Sequence, residues 1–424
     1  MPFLDRPITN FVDSDGVDLG KKLVTKDYLL SVYETILESS PASGLVVTPE
    51  LWGWGRGNDG ALGNNALAVR PTPVTTFSGG TNWKQVSAGY NYTAVIKTDG
   101  TLWTFGQNRL FFNPSILTGN LGVNDGGDGS NRQTPVTTFA GGTNWKQVAC
   151  GSHHTAAIKT DASLWIWGTN VYGTLGINDG NVPRLTPVTT FAGGTNWKSV
   201  SCGQYHTAAI KTDGTLWVWG YNDFGQLGDF STTNRSTPVT TFAGGNTWKQ
   251  VDCGDAHTAA IKTDGSLWVW GSNNQGRLGI NLGNVNRNTP VTTFAGGNTW
   301  KSVSLSSNHT SAIKTDGSLW TWGANDYGQL GDFSTTNRST PVTTFAGGTN
   351  WKQVSAGGDN TAAIKTDGTL WIWGNNTSLG QLGINDTNTA PRSTPVTTFA
   401  GGTNWKSVAC GVIHTIAIQS NDYI

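Results

Sequence analysis

Six histidines, four cysteines and a few Asp-Gly segments are the groups in this 424-residue chain whose types and spacing invite chemistry. His154, His206, His257, His309 and His414 recur at one repeated position, held by Tyr92 and Asn360 in two further copies. They read as one structural hydrogen bond used again and again, with only His153 outside the pattern. Cys150, Cys202, Cys253 and Cys410 share another position, which elsewhere holds Ala88, Leu305 and Ala356. A place that accepts Cys, Ala or Leu is a small buried apolar one, and the close pairing of a zinc or redox motif is missing. Asp13 to Asp18 and Asn124 to Gly129 space oxygen ligands loosely as a calcium loop does, yet neither closes with a bidentate Glu, and Asp and Gly make turns unaided. There is no lone Ser or Cys nucleophile, no carboxylate pair outside the repeated Thr-Asp-Gly turns and no phosphate loop. These residues supply no catalytic centre, metal site or cofactor site, so the chain reads as a binding protein and not an enzyme.

The elements that must position these groups come from a repeat. Leu-Trp-x-[Trp/Phe]-Gly begins at Leu51, Leu102, Leu164, Leu216, Leu267, Leu319 and Leu370, a step of 51 or 52 residues broken once by a step of 62. Trp-Lys-[Gln/Ser]-Val and Thr-Pro-Val-Thr-Thr-Phe recur equally often, from Trp83 to Trp405 and from Thr72 to Thr394. Such a period is that of a propeller blade. One unit predicts four strands: Trp197 to Cys202, Thr207 to Thr212, Leu216 to Trp219 and Thr237 to Phe242. Asp213-Gly214 joins the second and third, because Asp-Gly tolerates the positive φ of a tight hairpin. Pro238 cannot donate to a ladder, which puts the fourth strand on an outer edge. The first complete motif in the chain is a third strand and the last is a second strand, so the ring is expected to close by joining 405–419 with 51–77.

The blocks Gly-x-x-His-Thr-x-Ala-Ile, Asp-Gly-x-Leu-Trp-x-Trp-Gly and Gly-Gln-Leu-Gly resemble the regulator-of-chromosome-condensation repeat, over residues 51 to 419. The resemblance implies an all-β, seven-bladed propeller. It also implies a binding role, since members of that family act as nucleotide-exchange factors, inhibitors and scaffolds, and the fold by itself does not choose among them.

All 20 tryptophans fall inside the repeated blocks, so they are packing residues. What differs between repeats is concentrated in two segments. One follows the first strand and includes Tyr90, Asn91, His153, Gln204, Tyr205, Asp255, Asp359 and Ile413; the other follows the third and includes Arg109, Tyr172, Tyr221, Phe224 and Tyr327. In an up-and-down blade these two turns share one face, while the Thr-Asp-Gly turns lie on the other and stay nearly constant. A rigid scaffold with unlike loops on one side is expected to bind through that side. The long step of 62 adds its extra residues there too, in Arg109 to Leu117 with Phe111 and Phe112, an apolar loop that is either a contact patch or a plug over the channel mouth.

Residues 1–50 hold all three glutamates and none of the repeats, which marks a separate module ahead of a propeller at 51–424. Thr25 can cap a helix over about 26–39, with Tyr28, Leu29, Val32, Tyr33, Ile36 and Leu37 on one apolar face. A lone amphipathic helix must cover that stripe with the propeller, a second copy or another protein, so it is expected to be a docking segment, and homo-oligomerisation is one way of covering it. Asp15 to Gly20 followed by Leu23 to Leu29 resembles leaders on structural proteins of tailed phages of marine bacteria, over some fifteen residues.

Charge narrows the partners. Lys plus Arg and Asp plus Glu number 27 each, so no summed field attracts nucleic acid or an anionic bilayer. The start at Met1 lacks a basic stretch and apolar run, and no apolar segment is long enough to span a membrane, so neither export by a signal nor membrane insertion is expected. The leading expectation is a phage virion or appendage protein, located in the virion. Its N-terminal segment would dock to other virion proteins, and its propeller face would meet a host surface protein, a glycan or a neighbouring subunit. Two alternatives stand beside it: a cytoplasmic protein-binding regulator of the exchange-factor or inhibitor type, and a carbohydrate-binding propeller stacking sugars on Tyr90, Tyr92, Tyr172, Tyr205, Tyr221 and Phe224.

Overall fold

A computed structural model describes residues 49–77, 80, 82–109, 118–124, 130–377, 379–386 and 390–420. The predicted helix over 26–39, the two Asp-rich segments apart from Asn124, and Phe111 and Phe112 lie outside the described residues. The described chain forms seven four-stranded antiparallel sheets arranged as blades. In the third blade the strands are Trp197–Cys202, His206–Lys211, Leu216–Gly220 and Arg235–Thr240, in that order from the channel outward.

The blade follows from local chemistry. The Asp-Gly turn forms because Gly214 adopts a φ of 84° and its missing Cβ leaves room for the Asn246 carbonyl, which would lie 2.1 Å from such an atom. The Asp213 carboxylate accepts from the Thr215 backbone N–H and hydroxyl, and those bonds hold it below the usual carboxylate range. The Thr215 hydroxyl oxygen accepts from the Trp217 indole in turn. Lys211 then lies over both Trp197 and Trp217, at 4.9 and 4.4 Å, and five other blades repeat this arrangement.

The outer strand departs from expectation by starting and ending two residues earlier. Its pairing with the third strand skips from Val218↔Val239 to Gly220↔Arg235, so the extra residues around Pro238 form a bulge, which absorbs the missing N–H. The Phe that closes each Thr-Pro-Val-Thr-Thr-Phe block therefore leaves the sheet: Phe242 is 65 % exposed, and its six counterparts are equally open.

The core sits between blades. Trp197, Val200, Cys202, Ala209 and Trp219 of the third blade pack against Ala156, Ile158, Leu164, Ile166 and Leu175 of the second. The ring closes as the sequence implies: the blade Arg70–Thr75, Pro49–Gly55, His414–Ser420, Trp405–Cys410 joins strands from both sides of the repeat array through seven paired positions.

Candidate site on the varied loop face

The two variable segments meet at one end of each blade because the residue after the third strand donates its N–H to the carbonyl of the residue before the second. Tyr221 donates to Tyr205, Thr169 to His153, Asn375 to Asp359, Gln107 to Asn91 and Arg56 to Ile413. The constant turns are tied together at the other end, where Thr212 donates to Asn196 and Trp248 to Gly214.

Between the varied face and the channel runs a ring of near-touching backbone. A Cβ on Gly89, Gly151, Gly203 or Gly254 would lie 2.4–2.6 Å from the carbonyl of the residue in the corresponding place of the next blade. Below it, a channel of about 440 Å³ is lined by the inner strands. Gln85, Gln147, Gln250 and Gln353 donate there to valine carbonyls of neighbouring blades. Asp252 stands in the channel where most copies have Ser. It accepts from the Ser201 hydroxyl and the Leu305 N–H, and burial pushes its carboxyl up to about 6.

The repeated histidines are structural. Nε2 of His154, His206, His257, His309 and His414 lies 2.8–3.1 Å from a threonine hydroxyl of the next blade. Each of those threonines gives its own hydrogen to a backbone carbonyl, so Nε2 carries the proton and Nδ1 is bare. Burial pushes His154, His206 and His309 down to about 3 and His414 to about 4. Tyr92 makes the corresponding link in the first blade, donating to the His154 carbonyl. It is buried and fully engaged, which removes it from the proposed sugar-stacking set. The thiols of Cys150, Cys202, Cys253 and Cys410 are free and pushed up by burial, as expected of packing residues.

Six of the predicted residues come together in one arc over the first three blades. Tyr172, Tyr205, Tyr221 and Phe224 form a contiguous aromatic cluster with ring centroids 4.7–6.5 Å apart. Tyr221 touches the other three rings, and Tyr172 holds a φ of 64°, a left-handed conformation that L-residues with large side chains avoid. Tyr172 and Phe224 are 41 % and 39 % exposed. Tyr90 and His153 stack alongside at 5.9 Å, with burial holding His153 down at about 4. Burial pushes Tyr221 up to about 12, aided by its hydrogen bond to the Asp223 carboxylate. Tyr205 is raised by burial and then by neighbouring Tyr172, Asp255 and Tyr90.

The remaining predicted residues are spread more widely. Asp255 and Asp359 are half-buried on the adjoining arc, both raised mainly by burial and partly by other carboxylates. Gln204, Ile413 and Arg109 are half-buried, and Tyr327 is exposed outside the aromatic cluster. Asn91 corrects the sequence reading. It is 1 % exposed and donates to Gln107 Oε1, so it braces the loops from within and is not displayed.

Reading differences between repeats also missed residues. Asp223 and Asp326 are exposed on the face but occur twice in the same Asn-Asp-aromatic-Gly context, so their likeness hid them. Arg277 replaces the Gln of Gly-Gln-Leu-Gly, a departure visible in the sequence. It is 5 % exposed, with its N–H groups donating to the Asn274 and Ser307 carbonyls. Ser306 breaks the glycine ring and places its hydroxyl 2.7 Å from His309 Nδ1.

Fold and site together define a closed propeller that holds unlike loops, including an open aromatic cluster, on a rigid repeated frame. The chain belongs to the RCC1-like domain family, whose model matches residues 42–281 and 115–424. It is similar to the ultraviolet-B receptor UVR8 of Arabidopsis thaliana, 31% identical over 349 residues that cover 78% of this chain and 74% of that protein. It is also similar to the E3 ubiquitin-protein ligase HERC2 of Homo sapiens, 27% identical over 397 residues, but these are 90% of this chain and only 8% of the ligase. Among solved structures, Prp20p of Saccharomyces cerevisiae superposes with a TM-score of 0.73 at 18% identity, over 88% of this chain and 92% of that one.

Proposed function

We propose that this chain is a non-enzymatic protein-binding propeller that recognises a partner protein through the varied loop face. The observation that carries this reading is the confinement of divergence, with a contiguous tyrosine-rich cluster, to one end of otherwise matching blades. The relatives support it at the level of class. Prp20p is described by its binding to Gsp1p and histones, and another solved structure holds yeast RCC1 bound to Kap60. They favour a protein-binding regulator over the virion component expected from the leader-like residues 15–29, to which they lend no support. Ubiquitin ligation does not carry over from HERC2, because the matched stretch is a small part of that protein. Residues 1–50 keep the role of an attachment segment on their apolar stripe alone.

A photo-crosslinking amino acid placed at Tyr172 or Gln204 is expected to capture one defined protein from producing cells, and the same group at Asp213 or Asp316, on the constant face, is expected to capture none. Equal capture from both faces would defeat the proposal.

A further inference from the structure

The aromatic cluster has a chemistry that narrows the partner. Three phenol rings and one phenyl ring pack on one another, edge to face except for the tilted Tyr172–Tyr221 pair, and leave Tyr172 and Phe224 exposed. Two carboxylates flank them. Asp223 is exposed and accepts from the Tyr221 hydroxyl, and Asp255 is close enough to oppose ionisation of Tyr205. Four other acidic residues at this end of the blades are neutralised: Asp229, Asp332, Asp179 and Asp386 each pair with an arginine of their own blade. Among the described residues no ion pair involves Asp223 or Asp255. The cation nearest to Asp255 in its electrostatic influence, Arg277, is itself buried with its N–H groups given to carbonyls. Exposed rings beside Asp223, which no ion pair neutralises, and Asp255, which the charge of Arg277 offsets only in part, attract a positive group twice over, through the ring quadrupoles and through charge.

A neutral apolar partner group would leave the two carboxylates to be desolvated without compensation, and an acidic one would be repelled. A sugar ring would satisfy the π-faces but gain nothing from the charge. An aromatic ring at Tyr172 is not required by the loop, since Gln275 holds the equivalent position with the same left-handed φ.

We infer that Tyr172, Tyr205, Tyr221 and Phe224, with Asp223 and Asp255, form a receptor for an arginine or lysine side chain of the partner protein. The cation lies over the phenol rings and its N–H groups donate to the two carboxylates. This rests on the reading of the varied face as the partner-binding surface.

The test uses the full chain and fluorescein-labelled nine-residue peptides, identical except that three central positions are all Arg, all Lys, all Gln or all Glu, measured by anisotropy. The Arg and Lys peptides are expected to bind at least ten-fold more tightly than the Gln peptide, and the Glu peptide not at all. Tyr205→Ala is expected to weaken Arg-peptide binding at least ten-fold and Asp255→Asn about three- to ten-fold, with Asp213→Asn on the opposite face silent. Circular dichroism melts confirm that each variant is folded, and Tyr205→Phe, which keeps the ring, is expected to retain most of the affinity. Equal affinity for Arg and Gln peptides, no binding of the Arg peptide up to 10 mM, or Arg binding untouched by Tyr205→Ala and Asp255→Asn would each overturn the inference. Binding of neutral glycans that Tyr205→Ala abolishes would overturn it in favour of the carbohydrate alternative. Crosslinking from Tyr172 to a protein while the peptides fail would sink the cation receptor and leave the protein-binding reading standing; loss of that crosslinking would sink both.

Discussion

Lowering the pH from 7 to 5 is expected to unfold the propeller, because its blades are stitched by neutral histidines. His154, His206, His309 and His414 are buried, with Nε2–H donated across a blade boundary. A second proton would have to enter at Nδ1, and for His206 and His414 that atom has no partner. Their folded-state values near 3 to 4 lie below the 6.5 of an ordinary histidine. The unfolded chain therefore binds more protons than the folded one between about pH 6.5 and 4, and stability falls as pH falls through that window. At pH 5 each such histidine costs about 2 kcal/mol relative to pH 7, so the four together cost about 8 kcal/mol. Asp252, raised to about 6, opposes this, because its folded form takes up its proton first; it returns about 1 to 2 kcal/mol. The remainder is comparable with the whole stability of a typical domain. Equilibrium urea unfolding followed by tryptophan emission at stepped pH reads the slope directly, and uptake of at least about three protons on unfolding near pH 5.5 is expected, His153 and His257, also lowered by burial, adding to it. His206→Asn, which copies the natural Asn360, should reduce that uptake by about one. Uptake below one proton in the parent protein, or an unchanged slope in His206→Asn, would refute the argument.

Other outcomes follow from single junctions in the ring. Asn360 stands at a histidine position with both amide atoms buried and unpartnered, while Thr415, already donating to the Gln381 carbonyl, waits as an acceptor. Asn360→His should raise stability by about 1 kcal/mol in urea unfolding. Gly203→Ala puts a Cβ 2.4 Å from the Gly254 carbonyl and should cost more than about 2 kcal/mol. Gly203→Ser should cost less, because its hydroxyl can donate to His206 Nδ1 as Ser306 does to His309; a larger loss for Ser than for Ala would contradict this. Ala162 holds a φ of 63° where most blades have glycine, so Ala162→Gly should stabilise by about 0.5 to 1 kcal/mol in thermal melts. Removing residues 405–420 strips two strands from the closing blade and should convert the folded protein into aggregating material in size-exclusion chromatography.

The sequence by itself determined the blades, their number and the way the ring closes. Each depends on local signals repeated seven times: Asp-Gly for the hairpin, alternating apolar strands, Pro for the outer edge, and the half-blade phase of the first and last motifs. It also assigned the histidines and cysteines to structure, because residues that trade places with Asn or Ala across copies are not performing chemistry. It located the varied face, since strand direction alone puts those loops at one end. Tertiary structure decided what that face is made of. Which loop residues point outward depends on packing between blades, and so Asn91 turned inward to Gln107 while Tyr172, Tyr205 and Tyr221, from two different blades, came into ring contact. It also decided that the closing Phe of each blade escapes the sheet at a bulge, and that Asp223 has no ion pair among the described residues where Asp229 has Arg235. Some of these relations cross a blade boundary, as Tyr172 with Tyr221, and others join separate segments of one blade, as Asn91 with Gln107. A repeat fixes their spacing, but only the close packing of unlike neighbours fixes their contacts.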